Sequence, residues 1–136
     1  MNKDRMIERG LNFTSRQSGV LKDYKLVFNK KSMQGMAANI EKSVSDFVEG
    51  VLYEFADDEI TNLDKKEGYP NHYDRIQVQV IMKDDKIVEA TTYIAKQDKI
   101  VNGLSPKREY LNHLLAGQDL LSANYVDKLK QIQTSD

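Results

Sequence analysis

Two runs of alternating residues, separated by Asp84-Asp85, constrain this chain more than any other feature of its sequence. In the first, Ile76, Val78, Val80 and Met82 interleave with Gln77, Gln79 and Ile81. Successive side chains of an extended strand point to opposite faces, so a period of two marks a strand rather than a helix stripe. The second run extends from Ile87 to Ala95, and the turn between them makes the pair a hairpin. Two earlier stretches read the same way. Tyr24, Leu26 and Phe28 alternate with Lys25, Val27 and Asn29, and Val51, Tyr53 and Phe55 alternate within residues 49–55. A further extended piece is expected at Ala38-Asn39-Ile40, after a polar loop from Lys30 to Gly35.

Helices are expected around these strands. Near the start Asn2 can cap a short one, with Met6 and Ile7 on one side and Gly10 as its stop. A second begins at Asp57 or Asp58, carries acids in its first turn and shows Ile60 and Leu63 on its apolar side. Gly68-Tyr69-Pro70-Asn71 then turns the chain. Of two closing helices, one has Ser105 as cap, Pro106 at its first position, Tyr110, Leu111, Leu114 and Leu115 as stripe, and Gly117 as stop. The other starts at Ser122 and spaces Val126, Leu129 and Ile132 helically. Strands fill the middle and helices the end, so the class is α+β, with an antiparallel or mixed sheet curling toward a barrel.

Composition narrows the function. A length of 136 residues suits one domain, and 7 Gly with 2 Pro leave no linker-like stretch. Lys and Arg number 20 against 21 Asp and Glu, a balance that argues against nucleic acid or a membrane surface as partner. No apolar run approaches the roughly 18 residues of a bilayer span. Nor does an apolar segment follow Met1-Asn2-Lys3-Asp4-Arg5 as in a signal peptide, so a soluble, cytoplasmic protein is expected. The absence of cysteine removes disulfides, thiolate nucleophiles and zinc–thiolate sites. With only His72 and His113 to offer imidazole, no metal is expected. His72 reads as a loop histidine, His113 as a helix-surface residue and Lys30-Lys31 as a solvated loop. Ser15, Ser18 and Ser105 have no Ser-His-acid pattern near them.

Glu67 breaks two local rules. If the helix from Asp58 runs to Gly68, then Ile60, Leu63 and Glu67 stand at i, i+3 and i+7 and share the face that must be buried. Glu67 also occupies the last turn, where the helix dipole disfavours negative charge. Such breaches gather at functional sites. A carboxyl so placed suits proton transfer near neutral pH. The alternative is a helix that frays after Asp64, leaving Glu67 a solvated surface acid. The tyrosines, seven against four Phe and no Trp, form a second group. Tyr73 follows the turn, Tyr93 lies in the hairpin's second strand and Tyr110 in the helix after Pro106; as a rule such residues pack in a core with the hydroxyl satisfied at an edge.

Glu49-Gly50-Val51-Leu52-Tyr53-Glu54, followed by Leu63-Asp64-Lys65-Lys66-Glu67-Gly68-Tyr69-Pro70-Asn71-His72-Tyr73, resembles the gamma-glutamylcyclotransferase-like family. The resemblance continues through Val88-Glu89-Ala90 to Tyr93-Ile94 and Ser105-Pro106 to Tyr110-Leu111, and covers Arg9-Gly10 and Tyr24-Lys25-Leu26 before them. Its most specific part is the Leu-Asp-x-x-Glu-Gly block with the tyrosine after it. It implies one domain over residues 1–136, a small mixed β-barrel flanked by short helices. It also implies that Glu67 is the acid/base residue and that Tyr73, Tyr93 and Tyr110 line the substrate pocket.

The implied partner is a small gamma-glutamyl compound, from which an amine or amino acid is released as 5-oxoproline forms. The substrate's own α-amine attacks its own γ-carbonyl, so the reaction asks for no protein nucleophile, metal or cofactor. Charge developing on the carbonyl oxygen would call for N–H donors. One family feature is missing: the opening strand and its Tyr-Gly-Ser-Asn loop have no counterpart in the 136 residues. Either the start is assigned too late in the gene or the strand is absent. An absent strand would expose an edge able to pair with a second copy in a homodimer. It would also favour the alternative function, a non-catalytic module of the same fold that binds a small ligand.

Overall fold

The structure is a computed structural model describing residues 3–8, 11–32 and 35–135. A short helix, α1 (Lys3–Glu8), opens it; the expected cap Asn2 and stop Gly10 lie outside the described residues. Two long strands follow, β1 (Ser15–Ser32) and β2 (Gly35–Glu54), paired antiparallel. The polar loop expected from Lys30 to Gly35 is therefore mostly strand: Lys30 pairs with Ala37, Lys31 with Met36 and Ser32 with Gly35. Alternation could not reveal this, because the inward positions at this end are polar, Asn29, Lys30 and Asn39 all being buried. The two extended pieces expected at residues 38–40 and 49–55 are parts of the one strand β2.

The hairpin is as the alternation requires. β3 (Tyr73–Met82) and β4 (Ile87–Ala95) pair from Tyr73 opposite Ala95 to Ile81 opposite Ile87, and Val78 and Met82 are buried. The strand order is β2-β1-β3-β4, with β1 and β3 paired only at Gly19–Met82 and Val20–Ile81. Gly19 permits that approach, since a Cβ there would lie 2.4 Å from Cγ1 of Val80. Register shifts at Lys22/Tyr24 and Val27/Lys30 bend the β1–β2 ribbon, as bulges do.

The sheet thus curls, but it is not the closed barrel expected. A barrel needs backbone pairing between its end strands. Among the described residues β2 and β4 are instead linked by a side chain, Asn39 Oδ1 accepting from the Ala95 N–H at 2.8 Å. Asn39 also donates to Asn29 (3.1 Å), and Asn29 donates to Glu41 (2.6 Å) and Asn102 (3.2 Å). This buried polar network fixes one end of the curled sheet.

The helix α2 (Glu59–Glu67) lies between β2 and β3; α3 (Arg108–Leu115) and α4 (Ala123–Lys130) close the chain. α3 starts two residues later than its expected first position at Pro106, because the Pro106 carbonyl accepts from the Ser135 N–H (2.9 Å) instead of opening the helix. α4 starts where expected, and Ser122 caps it, its hydroxyl accepting from the Tyr125 N–H (3.3 Å). These two helices bury Leu111, Leu129, Tyr125 and Val126. They meet the ribbon through Tyr110 on Phe28 and Tyr125 on Phe47, with ring centroids 6.3 and 6.0 Å apart. Among the described residues no helix is long and apolar enough to cross a membrane.

Candidate functional site

α2 is where the sequence departs from ordinary helix design. Ile60, Leu63 and Glu67 do share one face, yet none of the helix's residues is fully buried. All three instead line a cleft of about 810 Å³ between α2, the end of β2 and the β3–β4 hairpin. The apolar stripe is a cavity wall, which is why a carboxylate can continue it. The helix does not fray after Asp64: it ends at Glu67, with Gly68 left-handed at φ 74° and its N–H returning to the carbonyls of Asp64 and Lys65.

Asp64 anchors the helix to the hairpin. One carboxylate oxygen accepts from the Tyr93 hydroxyl (2.6 Å) and the other from the Arg75 guanidinium. Arg75 and Tyr93 face each other across β3 and β4, so one carboxylate holds a cross-strand pair. The guanidinium also stacks on Tyr69 at 4.8 Å, close to the cis Tyr69–Pro70 peptide. Tyr93 and Arg75 line the cleft with Glu67. Burial is the main cause that pushes the Tyr93 hydroxyl far above its usual range. The bond to Asp64 and the nearby charges of Asp64 and Glu67 push it further the same way. Tyr93 therefore stays a neutral O–H donor at any physiological pH.

Of the four residues singled out in the sequence, Glu67 and Tyr93 come together in the cleft, whereas Tyr73 and Tyr110 converge on one residue of β2, Ala38. Tyr73 donates its hydroxyl hydrogen to the Ala38 carbonyl (3.1 Å), and the Tyr110 oxygen accepts from the Ala38 N–H (2.9 Å). Neither tyrosine lines the cleft.

Two residues near Glu67 escaped the sequence reading. Lys30, expected in a solvated loop, is only 4% exposed. Its ammonium lies 3.1 Å from Nδ1 of His72 and 5.3 Å from the centre of the Tyr73 ring. Burial, and next the repulsion of Lys99, lower its pKa, while the Glu67 carboxylate acts in the opposite direction. His72 is a loop residue, as expected, but a tethered one. Its partner in β1 is 42 residues away, a separation that carries no local signal. Asp64 and Arg75 were legible only in hindsight, Asp64 by its place in the Leu-Asp-x-x-Glu-Gly block. Among the described residues no three His, Asp or Glu side chains cluster as a metal ion would need.

Comparison with known proteins agrees with this geometry. The model of the AIG2-like family matches residues 47–129, a stretch that contains the end of β2, α2, the hairpin, α3 and most of α4. The chain belongs to the AIG2-like family. Among solved structures it is similar to a gamma-glutamyl cyclotransferase, with 25% identity, a TM-score of 0.86, and 98% of this chain and 83% of the other covered. An uncharacterized protein from Homo sapiens is 26% identical with a TM-score of 0.81, covering 90% of this chain and 78% of its own. YkqA from Bacillus subtilis, at 24% identity, shares the fold with a TM-score of 0.86, covering 98% of this chain and 52% of YkqA. A search of curated protein sequences returned no match. The resemblance to gamma-glutamylcyclotransferase-like proteins read from the sequence is thereby upheld, and so is the α+β class.

Proposed function

We propose that this chain is a gamma-glutamyl cyclotransferase that releases an amine or amino acid from a small gamma-glutamyl compound and leaves 5-oxoproline. The observation that carries the reading is Glu67 on the wall of the cleft, at the end of a helix held against the hairpin. The family and the likeness to a gamma-glutamyl cyclotransferase support it.

In this mechanism Glu67 takes a proton from the substrate's α-ammonium. The freed amine attacks the γ-carbonyl carbon, forming the ring C–N bond and a tetrahedral oxyanion. Collapse of that intermediate breaks the bond to the leaving nitrogen, which receives its proton from Glu67; the ring nitrogen's second proton follows it, so the amine departs as an ammonium and Glu67 ends ionised as it began. Atoms balance without water: a gamma-glutamyl amide becomes 5-oxoproline and a free amine. Holding the glutamyl chain in a near-attack ring supplies much of the acceleration, and N–H donors on the oxyanion supply more. Tyr93, whose hydroxyl hydrogen is held by Asp64, orients the substrate beside Glu67 by accepting from its ammonium. Tyr73 and Tyr110, both hydrogen-bonded to Ala38, hold β2 from outside the cleft.

The test is to incubate the full chain with gamma-glutamylalanine, gamma-glutamylbutylamine and glutathione and to measure 5-oxoproline. Turnover of at least one is expected, and Glu67→Gln lowers kcat by roughly 100- to 10,000-fold, the usual worth of a positioned acid/base group. Unchanged turnover in that variant would remove the proposal. Binding of these compounds without any product would favour the non-catalytic module.

A further inference from the structure

The proposed reaction leaves Lys30 without a role, although its side chain is buried. A charge taken out of water is costly unless partners compensate it, and an apolar side chain of similar size would avoid the cost. The neighbouring Lys31, on the other face of β1, is exposed. The hydrogen-bond partner of Lys30 is an imidazole: Nζ donates to Nδ1 of His72, which requires a neutral ring carrying its proton on Nε2.

His72 is in turn built onto the end of α2. Its N–H donates to the Gly68 carbonyl at 2.7 Å. Its ring packs so closely on Gly68 that a Cβ there would lie 2.9 Å from Cδ2. Gly68 directly follows Glu67. The other end of the tether is rigid, since Lys30 follows Asn29 of the buried amide network and forms a bridge with Ile100. α2 has no buried side chain to fix its last turn. Asp64 is gripped by Tyr93 and Arg75, but that grip lies three residues before Glu67.

We infer that Lys30 is a positioning residue for Glu67: through His72 and the face of Tyr73, its buried ammonium fixes the turn on which α2 ends. This rests on the reading of Glu67 as the acid/base group. Lys30 is assigned its effect through His72, so its loss misplaces the carboxylate and leaves substrate binding nearly intact.

The test uses the full chain with Lys30→Met and, from the exposed side of the same tether, His72→Phe, which keeps the ring over Gly68 but removes the acceptor. On the gamma-glutamyl compound of the panel that turns over fastest, kcat falls on the order of 100-fold in Lys30→Met and about tenfold in His72→Phe, the scale of a misplacement of about 1 Å. KM stays within about threefold, whereas a purely structural role would lower the amount of folded enzyme and spare kcat per folded molecule. Amide hydrogen exchange of residues 65–73 accelerates on the order of tenfold while that of the β3–β4 hairpin is unchanged.

Values of kcat within about twofold of the parent in both variants, or a loss carried by KM, would overturn the inference. Should Lys30→Met fail to fold, His72→Phe decides by the same criteria. Should the parent turn over none of the three compounds, the cyclotransferase reading fails by itself. The exchange measurement then decides alone whether Lys30 fixes that turn, and unaltered exchange counts against it.

Discussion

α2 and α4 are of nearly equal length, nine and eight residues, and are held to the molecule by opposite means. α4 buries Tyr125, Val126 and Leu129, and Ser122 caps its first turn. α2 buries none of its residues, and its N-cap Asp58 makes no side-chain cap bond. It is kept in place by polar ties: Asp64 to Arg75 and Tyr93, and the Lys30–His72 tether beyond its last residue. Apolar burial is non-directional and scales with area, so it secures a helix without aiming any one atom. Hydrogen bonds and ion pairs contribute less free energy apiece but fix direction. The helix that carries Glu67 is the one fixed by direction.

That contrast is broken most sharply by trimming one leucine from each helix. Leu129, 2% exposed, is expected to cost roughly 2–5 kcal/mol of unfolding free energy as Leu129→Ala, transfer and cavity terms together. Leu63 faces the cleft and is half-buried, so Leu63→Ala is expected to cost about 1 kcal/mol. Denaturant unfolding of the two variants measures both. Equal losses would mean that the cleft wall is packed like a core and that the distinction drawn between the helices is wrong.

Asp64→Ala tests the polar side. It leaves the Tyr93 hydroxyl and the Arg75 guanidinium without their shared acceptor, an expected loss of about 1–3 kcal/mol. The loss should be local as well as global. Amide exchange along residues 59–67 is expected to rise well before that of α4, because α2 has no apolar burial to fall back on.

The same contrast decided what the sequence could reveal. The hairpin and α4 are held by apolar residues at periods of two and 3.6, and both were legible, the start at Ser122 included. The stripe of Ile60, Leu63 and Glu67 was legible as a face, and the acid on it pointed to the cleft it lines. The end of the β1–β2 ribbon was not legible. Its inward positions Asn29, Lys30 and Asn39 are satisfied by partners distant in the chain, and pattern rules read such residues as loop. Closure of the barrel was likewise beyond reach of periodicity, since it depends on which edges find each other. Here the edges of β2 and β4 are joined by the Asn39 side chain instead of a ladder. Of the site, Glu67 and Tyr93 were recoverable and the tether behind Glu67 was not.

The smallest expected effect separates the two helices by their tyrosines. Tyr93 ties α2 through Asp64, and Tyr125 is packed within α4; burial raises both hydroxyls above the ordinary value of 10.0. Below pH 10 the folded and unfolded chains both keep these protons, so the contribution to stability is fully present. Above pH 10 the unfolded chain ionises first, and stability declines as pH rises toward the folded values. Near-ultraviolet absorbance of the native protein, followed upward from pH 10, should therefore show these two of the seven tyrosines ionising later than a free phenol. In Asp64→Ala the Tyr93 signal should move to lower pH, because the hydrogen bond and the negative charge of Asp64 both raise it. Tyr125, which owes its shift chiefly to burial, should not move. A common displacement of both would mean that Asp64 holds the whole molecule rather than one helix, and the two modes of attachment would reduce to one.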